Sequence, residues 1–158
     1  KVQGKGTYVK TDEGSNNLFS ITSCTEDVLK LGLTPSKKVV VSELVDANVK
    51  RAKALEITTS DNVYMIGRIL YADKEPLNYT LTFLPEKIFP GLSKYDLKKE
   101  SLYQIITEVY GVKITKARRT IEAIGAQDEI AEYLDTDYSV SLYYIWHCEW
   151  KRNSDREF

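Results

Sequence analysis

Arg68 stands inside an otherwise apolar run, VYMIGRILYADKEPLNYTLTFLP (Val63 to Pro85), where a cation needs polar company. An unpaired charge taken away from water costs several kcal/mol, so a guanidinium in such a strand calls for a counter-charge or a set of acceptors. Two other stretches offer groups that suit an anion. Ser23 and Glu26 form an S-x-x-E capping box, and Ser101 and Gln104 form an S-x-x-Q box, so each pair marks a helix start. Free amide donors and a partial positive charge collect there. Thr25 falls in the first turn of one helix, and Ser101 with Tyr103 at the start of the other. Together with Arg68 these residues make a set suited to a phosphate or a carboxylate, with Arg68 as its leading member. Each also has a plainer role: Ser101 as an N-cap, Thr25 as a solvated side chain, Tyr103 as cover for the core.

Little else in the chain points to chemistry. His147 is the single histidine and sits in an aromatic run with Tyr143, Tyr144 and Trp146, so a packed strand histidine is expected rather than a triad or a metal ligand. Neither GxxxxGK[ST] nor GxGxxG occurs, and GKG at Gly4 to Gly6 lacks the strand-to-helix context of a phosphate loop. Asp128 and Glu129 open a helix, where the dipole accounts for them. No cofactor and no metal are expected. Lysine plus arginine number 22 against 23 acidic residues, a net charge of −1, which argues against a nucleic-acid binder acting alone. The basic run Lys113, Lys116, Arg118 and Arg119 then reads as a solvated face. Cys24 and Cys148 have no metal-type spacing and read as reduced thiols. No apolar run approaches a membrane span and no h-region opens the chain, so the expected setting is cytoplasmic.

The elements that would position the set follow from periodicity. The central stretch reads as a hairpin, with Val63, Met65, Gly67, Ile69 and Tyr71 on one face of its first strand and Tyr64, Ile66, Arg68 and Leu70 on the other. A three-residue loop, Ala72 to Lys74, would gather the apolar sets of both strands on one buried face and leave Arg68 with Thr80 and Thr82. A two-residue loop at Asp73 and Lys74 would place Arg68 among Leu77, Tyr79 and Leu81. The first register is preferred because it gives Arg68 polar neighbours. Ser23 to Gly32 is a short helix with Val28, Leu29 and Leu31 as its stripe, Lys38 to Val45 a strand, and Ala47 to Leu55 a helix. Ser101 to Tyr110 is a helix with Leu102, Ile105, Ile106 and Val109 on one buried face, ended by Gly111. Val112 to Ile124 and Ser139 to Cys148 read as strands, with Gln127 to Leu134 a helix between them. At 158 residues this is one α+β domain with a mainly antiparallel sheet and flanking helices.

Several stretches together resemble a known family. GKGTYV near the start resembles the wing end of the winged-helix DNA-binding domain in GntR-type repressors, and the rest resembles the UTRA effector-binding domain of their HutC subfamily. The pieces are SCTEDVLKLGLTPSKKVV (Ser23 to Val40), RILYADKEPLNYTLTFLP (Arg68 to Pro85), FPGL (Phe89 to Leu92), SLYQIITEVYG (Ser101 to Gly111) and the helix start near Gln127. The resemblance implies three parts: a wing remnant at residues 1–9, a linker at 10–17, and the effector-binding and dimerisation domain at 18–158. It implies a chorismate-lyase-like α+β fold that binds a small anionic metabolite, often a sugar phosphate, and signals to operator DNA through an N-terminal domain missing from this chain. A homodimer is implied, without a membrane and without enzymatic activity. The family's phosphate-contacting positions fall on Thr25, Arg68, Ser101 and Tyr103. Two positions depart from the pattern: Leu70 stands where a second arginine is common, and Thr80 where an acidic residue is common, so both are read as further pocket lining. The rival expectation is a lyase acting on a cyclic carboxylate, since the implied fold also houses that chemistry.

Overall fold

Three antiparallel strands hold Arg68, with helices packed around them. The computed structural model describes residues 24–125, 128–136 and 140–152. The wing remnant, the linker and Ser23 lie outside the described residues, as do the side chains of Cys24, Lys116, Arg118, Arg119, His147 and Cys148. The elements are α1 (Cys24–Lys30), β1 (Pro35–Asp46), α2 (Val49–Leu55), β2 (Asn62–Ala72), β3 (Glu75–Pro85), a 3-10 turn (Leu92–Lys94), α3, β4 (Val112–Gly125), α4 (Asp128–Leu134) and β5 (Val140–Arg152). α3 begins as one α-helical turn, Leu102–Gln104, and continues as a π-wound turn, Ile105–Val109. β2 is the middle strand of β1-β2-β3, while β4 and β5 pair as a second antiparallel ladder.

The hairpin corrects the preferred loop and keeps its consequence. Ala72 pairs with Glu75, so the turn is the two residues Asp73 and Lys74 rather than three. Asp73 accepts the left-handed conformation (φ 56°), which Asp tolerates better than most residues. It is also pinned to the start of β1: the Thr34 amide donates to Asp73 Oδ1 at 2.9 Å, and the Asp73 amide donates to the Thr34 carbonyl at 2.8 Å. A bulge then restores the alternation. Tyr71 pairs with Pro76 but Leu70 with Asn78, leaving Leu77 as the extra residue beside a proline that has no N–H to give. Beyond it Arg68 faces Thr80 and Ile66 faces Thr82, so Arg68 does sit among threonines. A second bulge in β1, at Val40, falls between the pairs Val39–Arg68 and Val41–Gly67.

The main core lies on the face that Arg68 shares, contrary to the expectation of one apolar and one polar face. Tyr64 and Ile66 pack there with Phe89, Leu92, Leu97, Leu102, Ile105, Ile106, Tyr110 and Val112, flanked by Val39 and Leu84. The helix that follows the sheet needs apolar ground, and Tyr64 and Ile66 supply it. On the opposite face Val63 packs with Ala47 and Ala52 of the α2 region, while Leu77 and Leu81 remain exposed. Asn48 caps α2 by accepting the Arg51 amide at 2.8 Å, and the Arg51 guanidinium stacks 4.3 Å from the Phe83 ring centroid. Gly67 is needed where it stands: a Cβ there would come 2.5 Å from Val41 Cγ1 and 2.7 Å from the Tyr79 hydroxyl.

Two helices bury less of their apolar stripe than expected. Of the α1 stripe Val28 is buried, whereas Leu29 and Leu31, the latter just past the end of the helix, are exposed. In α3 Leu102, Ile105 and Ile106 are buried but Val109 is 39% exposed. The π winding explains it. The Tyr110 amide reaches back to the Ile105 carbonyl, so each turn takes up more residues and Tyr110 replaces Val109 on the inner face. Its hydroxyl donates to the Pro90 carbonyl at 3.0 Å and its ring meets Phe89 edge-on at 5.2 Å.

Candidate functional site

Arg68 is half-buried near the centre of β2, and its Nη2 donates to Thr82 Oγ1 at 3.3 Å. Its Nε is itself buried. Thr80, its direct cross-strand neighbour, is exposed, with its hydroxyl 3.4 Å from Asn78 Oδ1. Leu70 is half-buried on the same sheet face, two residues along. One hydrogen bond of the guanidinium thus goes to Thr82, which the sequence places only as a polar neighbour.

Ser101 is the N-cap of α3, its Oγ accepting the Gln104 amide at 3.4 Å. Tyr103 is 46% exposed on the outer side of the first turn, so it is free of the core-covering role. Thr25 is exposed in the first turn of α1, and among the described residues no hydrogen bond joins it to Arg68, Ser101 or Tyr103. A shallow open depression of about 210 Å³ lies against Ser101, Gln104, Glu100 and Glu108. Neither Arg68 nor Lys37 lines it. The grounds for an anion site therefore rest on the sheet face.

What joins Arg68 to the start of α3 is a residue that sequence reasoning passed over. Lys37, in β1, pairs directly with Leu70, and Val39 pairs with Arg68, so Lys37 and Arg68 project from one face at diagonal positions. The Lys37 Nζ donates to the main-chain carbonyl of Glu100, the residue before the Ser101 cap. Lys37 forms no ion pair among the described residues. Burial lowers its pKa, the nearby Arg68 charge lowers it further, and Asp96 and Glu100 partly oppose the shift. The only sequence signal was alternation, which puts Lys37 and Val39 on the same face once the strand is begun at Pro35. Directly opposite Leu70, where the resemblance implies a second arginine, the structure therefore places a lysine.

Among the described residues no group of histidine, cysteine, aspartate and glutamate side chains is arranged to hold a metal ion, and no helix is long and apolar enough to cross a membrane. Among the described residues the arrangement that stands out is Arg68 and Lys37 on one face of the sheet, with Lys37 reaching to the residue before the Ser101 cap, which suits binding and orienting a negatively charged group.

Comparison with known proteins agrees with this architecture. The UTRA domain family model matches residues 30–145. The uncharacterized HTH-type transcriptional regulator YurK of Bacillus subtilis is 30% identical over 143 residues, covering 90% of this chain and 59% of that protein. The probable fructoselysine utilization operon transcriptional repressor of Escherichia coli is 26% identical over 151 residues, covering 96% of this chain and 62% of the repressor. The chain thus spans about three-fifths of the length of these relatives. Among solved structures, the effector domain of PhnF from Mycobacterium smegmatis superposes with a TM-score of 0.70 at 23% identity, covering 78% of this chain and 75% of that one, a likeness of fold. The antiparallel sheet with flanking helices and the family match over most of the chain lead to one assignment: this chain belongs to the UTRA domain family.

Proposed function

We propose that this chain is the small-molecule effector-binding part of a GntR/HutC-type repressor, and that it senses an anionic metabolite, a sugar phosphate above all. The observation that carries the reading is the half-buried Arg68, set among Thr80 and Thr82 on the sheet face that α3 covers. Arg68 holds the anion, Ser101 and Tyr103 contribute from the start of α3, Thr25 comes from the first turn of α1, and Thr80 and Leu70 line the pocket. The curated relatives are named as transcriptional regulators, which favours a sensor over a lyase.

The signal passes by population shift. A ligand changes an equilibrium only through differential affinity, so the DNA-competent arrangement of a homodimer in the cytoplasm binds the metabolite less well than the released one. Operator DNA is contacted through an N-terminal winged-helix domain. The test is saturable binding of a phosphorylated metabolite that Arg68→Ala abolishes while the variant still folds. Binding unaltered by that substitution would remove Arg68 from the site.

A further inference from the structure

Lys37 links the two halves of the candidate site by its position in the sheet and its reach to the start of α3. Its register position opposite Leu70 puts it beside Arg68 on the sheet, and its contact with the Glu100 carbonyl puts its ammonium at the entry to α3. Neighbouring Lys38 pairs with Ile69 and therefore points to the opposite face. The Arg68 charge disfavours the Lys37 ammonium while Asp96 and Glu100 favour it, and the main-chain carbonyl it touches is a weak partner for a cation. An anion between Arg68 and Lys37 offsets the repulsion between the two cations. We propose that Lys37 is a second cationic ligand of this site, turning from the Glu100 carbonyl to the bound anion, and that the Lys37–Arg68 pair selects a dianionic group such as a phosphate monoester over a single carboxylate.

The chemistry follows from charge and shape. A guanidinium satisfies a planar carboxylate by itself through two parallel hydrogen bonds, and a second positive charge adds little to it. A phosphate dianion presents three acceptor oxygens in three directions, so a fork on one side leaves oxygens for an ammonium and for the Ser101 hydroxyl. Lysine acts as the point charge of such a cradle.

The inference rests on the anion-binding reading above, and a single set of titrations separates the two. Inorganic phosphate and acetate are titrated at constant ionic strength into the unmodified chain and into Arg68→Ala, Lys37→Met, Lys37→Arg and Lys38→Met, followed by amide chemical shifts in the β1–β2 ladder. The expected result is saturable phosphate binding by the unmodified chain and by Lys38→Met, and roughly ten-fold weaker binding by Lys37→Met, the effect of one charge-assisted contact. Lys37→Arg should recover most of the affinity, and the preference for phosphate over acetate should shrink in Lys37→Met. Phosphate binding that needs Arg68 but is as tight in Lys37→Met overturns the role of Lys37 and leaves the anion site standing. Phosphate binding unaffected by Arg68→Ala, or none in the unmodified chain, overturns both.

Discussion

Lys37 and Arg68 occupy diagonal positions of the β1–β2 ladder, with Val39 opposite Arg68 and Leu70 opposite Lys37. The Arg68 charge disfavours the ammonium form of Lys37, so the pair is a cost to the folded chain. Functional sites are where such conflicts with local stability are expected.

That cost should show in the pH dependence of stability. The folded chain holds the Lys37 pKa below 10.5, by burial first and by Arg68 second. Between the folded value and the unfolded one the unfolded chain binds more protons, so this group makes stability rise with pH. Tyr79 and Tyr110 act the other way: burial raises both pKa values, and their contribution is lost as pH climbs above the ordinary tyrosine value. Denaturant unfolding of the unmodified chain and of Lys37→Met across the alkaline range cancels the tyrosines. The difference should move in favour of the unmodified chain as pH rises.

Gly67→Ala should destabilise the sheet by about 1–3 kcal/mol, the usual penalty of overpacking. The new methyl would meet Val41 Cγ1 and the Tyr79 hydroxyl at 2.5 and 2.7 Å. Adding Val41→Ala should recover part of the loss in urea unfolding, and an additive double variant would contradict the contact.

Ser101→Ala should cost about 1 kcal/mol through loss of the cap that accepts the Gln104 amide. On the proposed reading it also weakens phosphate binding, whereas a purely structural cap leaves affinity unchanged once Ser101→Ala and the unmodified chain are measured well below their melting points.

Asp61 should matter only above acid pH. Its carboxylate accepts the Thr58 amide at 2.7 Å, the Thr58 hydroxyl at 3.0 Å and Lys87 Nζ at 3.0 Å, and these bonds lower its pKa, the amide foremost. A depressed carboxyl stabilises the fold above its unfolded value and loses that contribution as pH falls through the folded one. The gap in melting temperature between the unmodified chain and Asp61→Asn should therefore close on acidification.

Much of this fold is legible in the sequence because period and punctuation agree. The Ser101 cap, the glycines that end α1 and α3, and the alternation of β2 all appear where they are expected. What alternation does not show turns on single residues with no periodic trace. The two-residue turn depends on Asp73 accepting a left-handed conformation and bonding Thr34, a residue 39 positions away. The bulge at Leu77 then cancels the change of parity, so Arg68 meets Thr80 by a route that alternation alone does not show. The π turn swaps Val109 for Tyr110 because a longer turn is indistinguishable from an α turn in a stretch this short. Lys37 is inconspicuous in the sequence for a related reason: its importance comes from its neighbours across the ladder, and cross-strand neighbours follow from bulges that only the fold reveals.

The central claim is that this domain recognises a metabolite through an anion held at Arg68. Its most direct test is thermal melting of the unmodified chain and of Arg68→Ala against phosphorylated metabolites, each beside its unphosphorylated form. A ligand at about a hundred times its dissociation constant adds roughly 2.7 kcal/mol, a shift of several degrees in a domain of this size. The account predicts such a shift with a phosphorylated compound, none with its unphosphorylated counterpart, and none in Arg68→Ala. An equal shift for both forms, or a shift that survives Arg68→Ala, would contradict it.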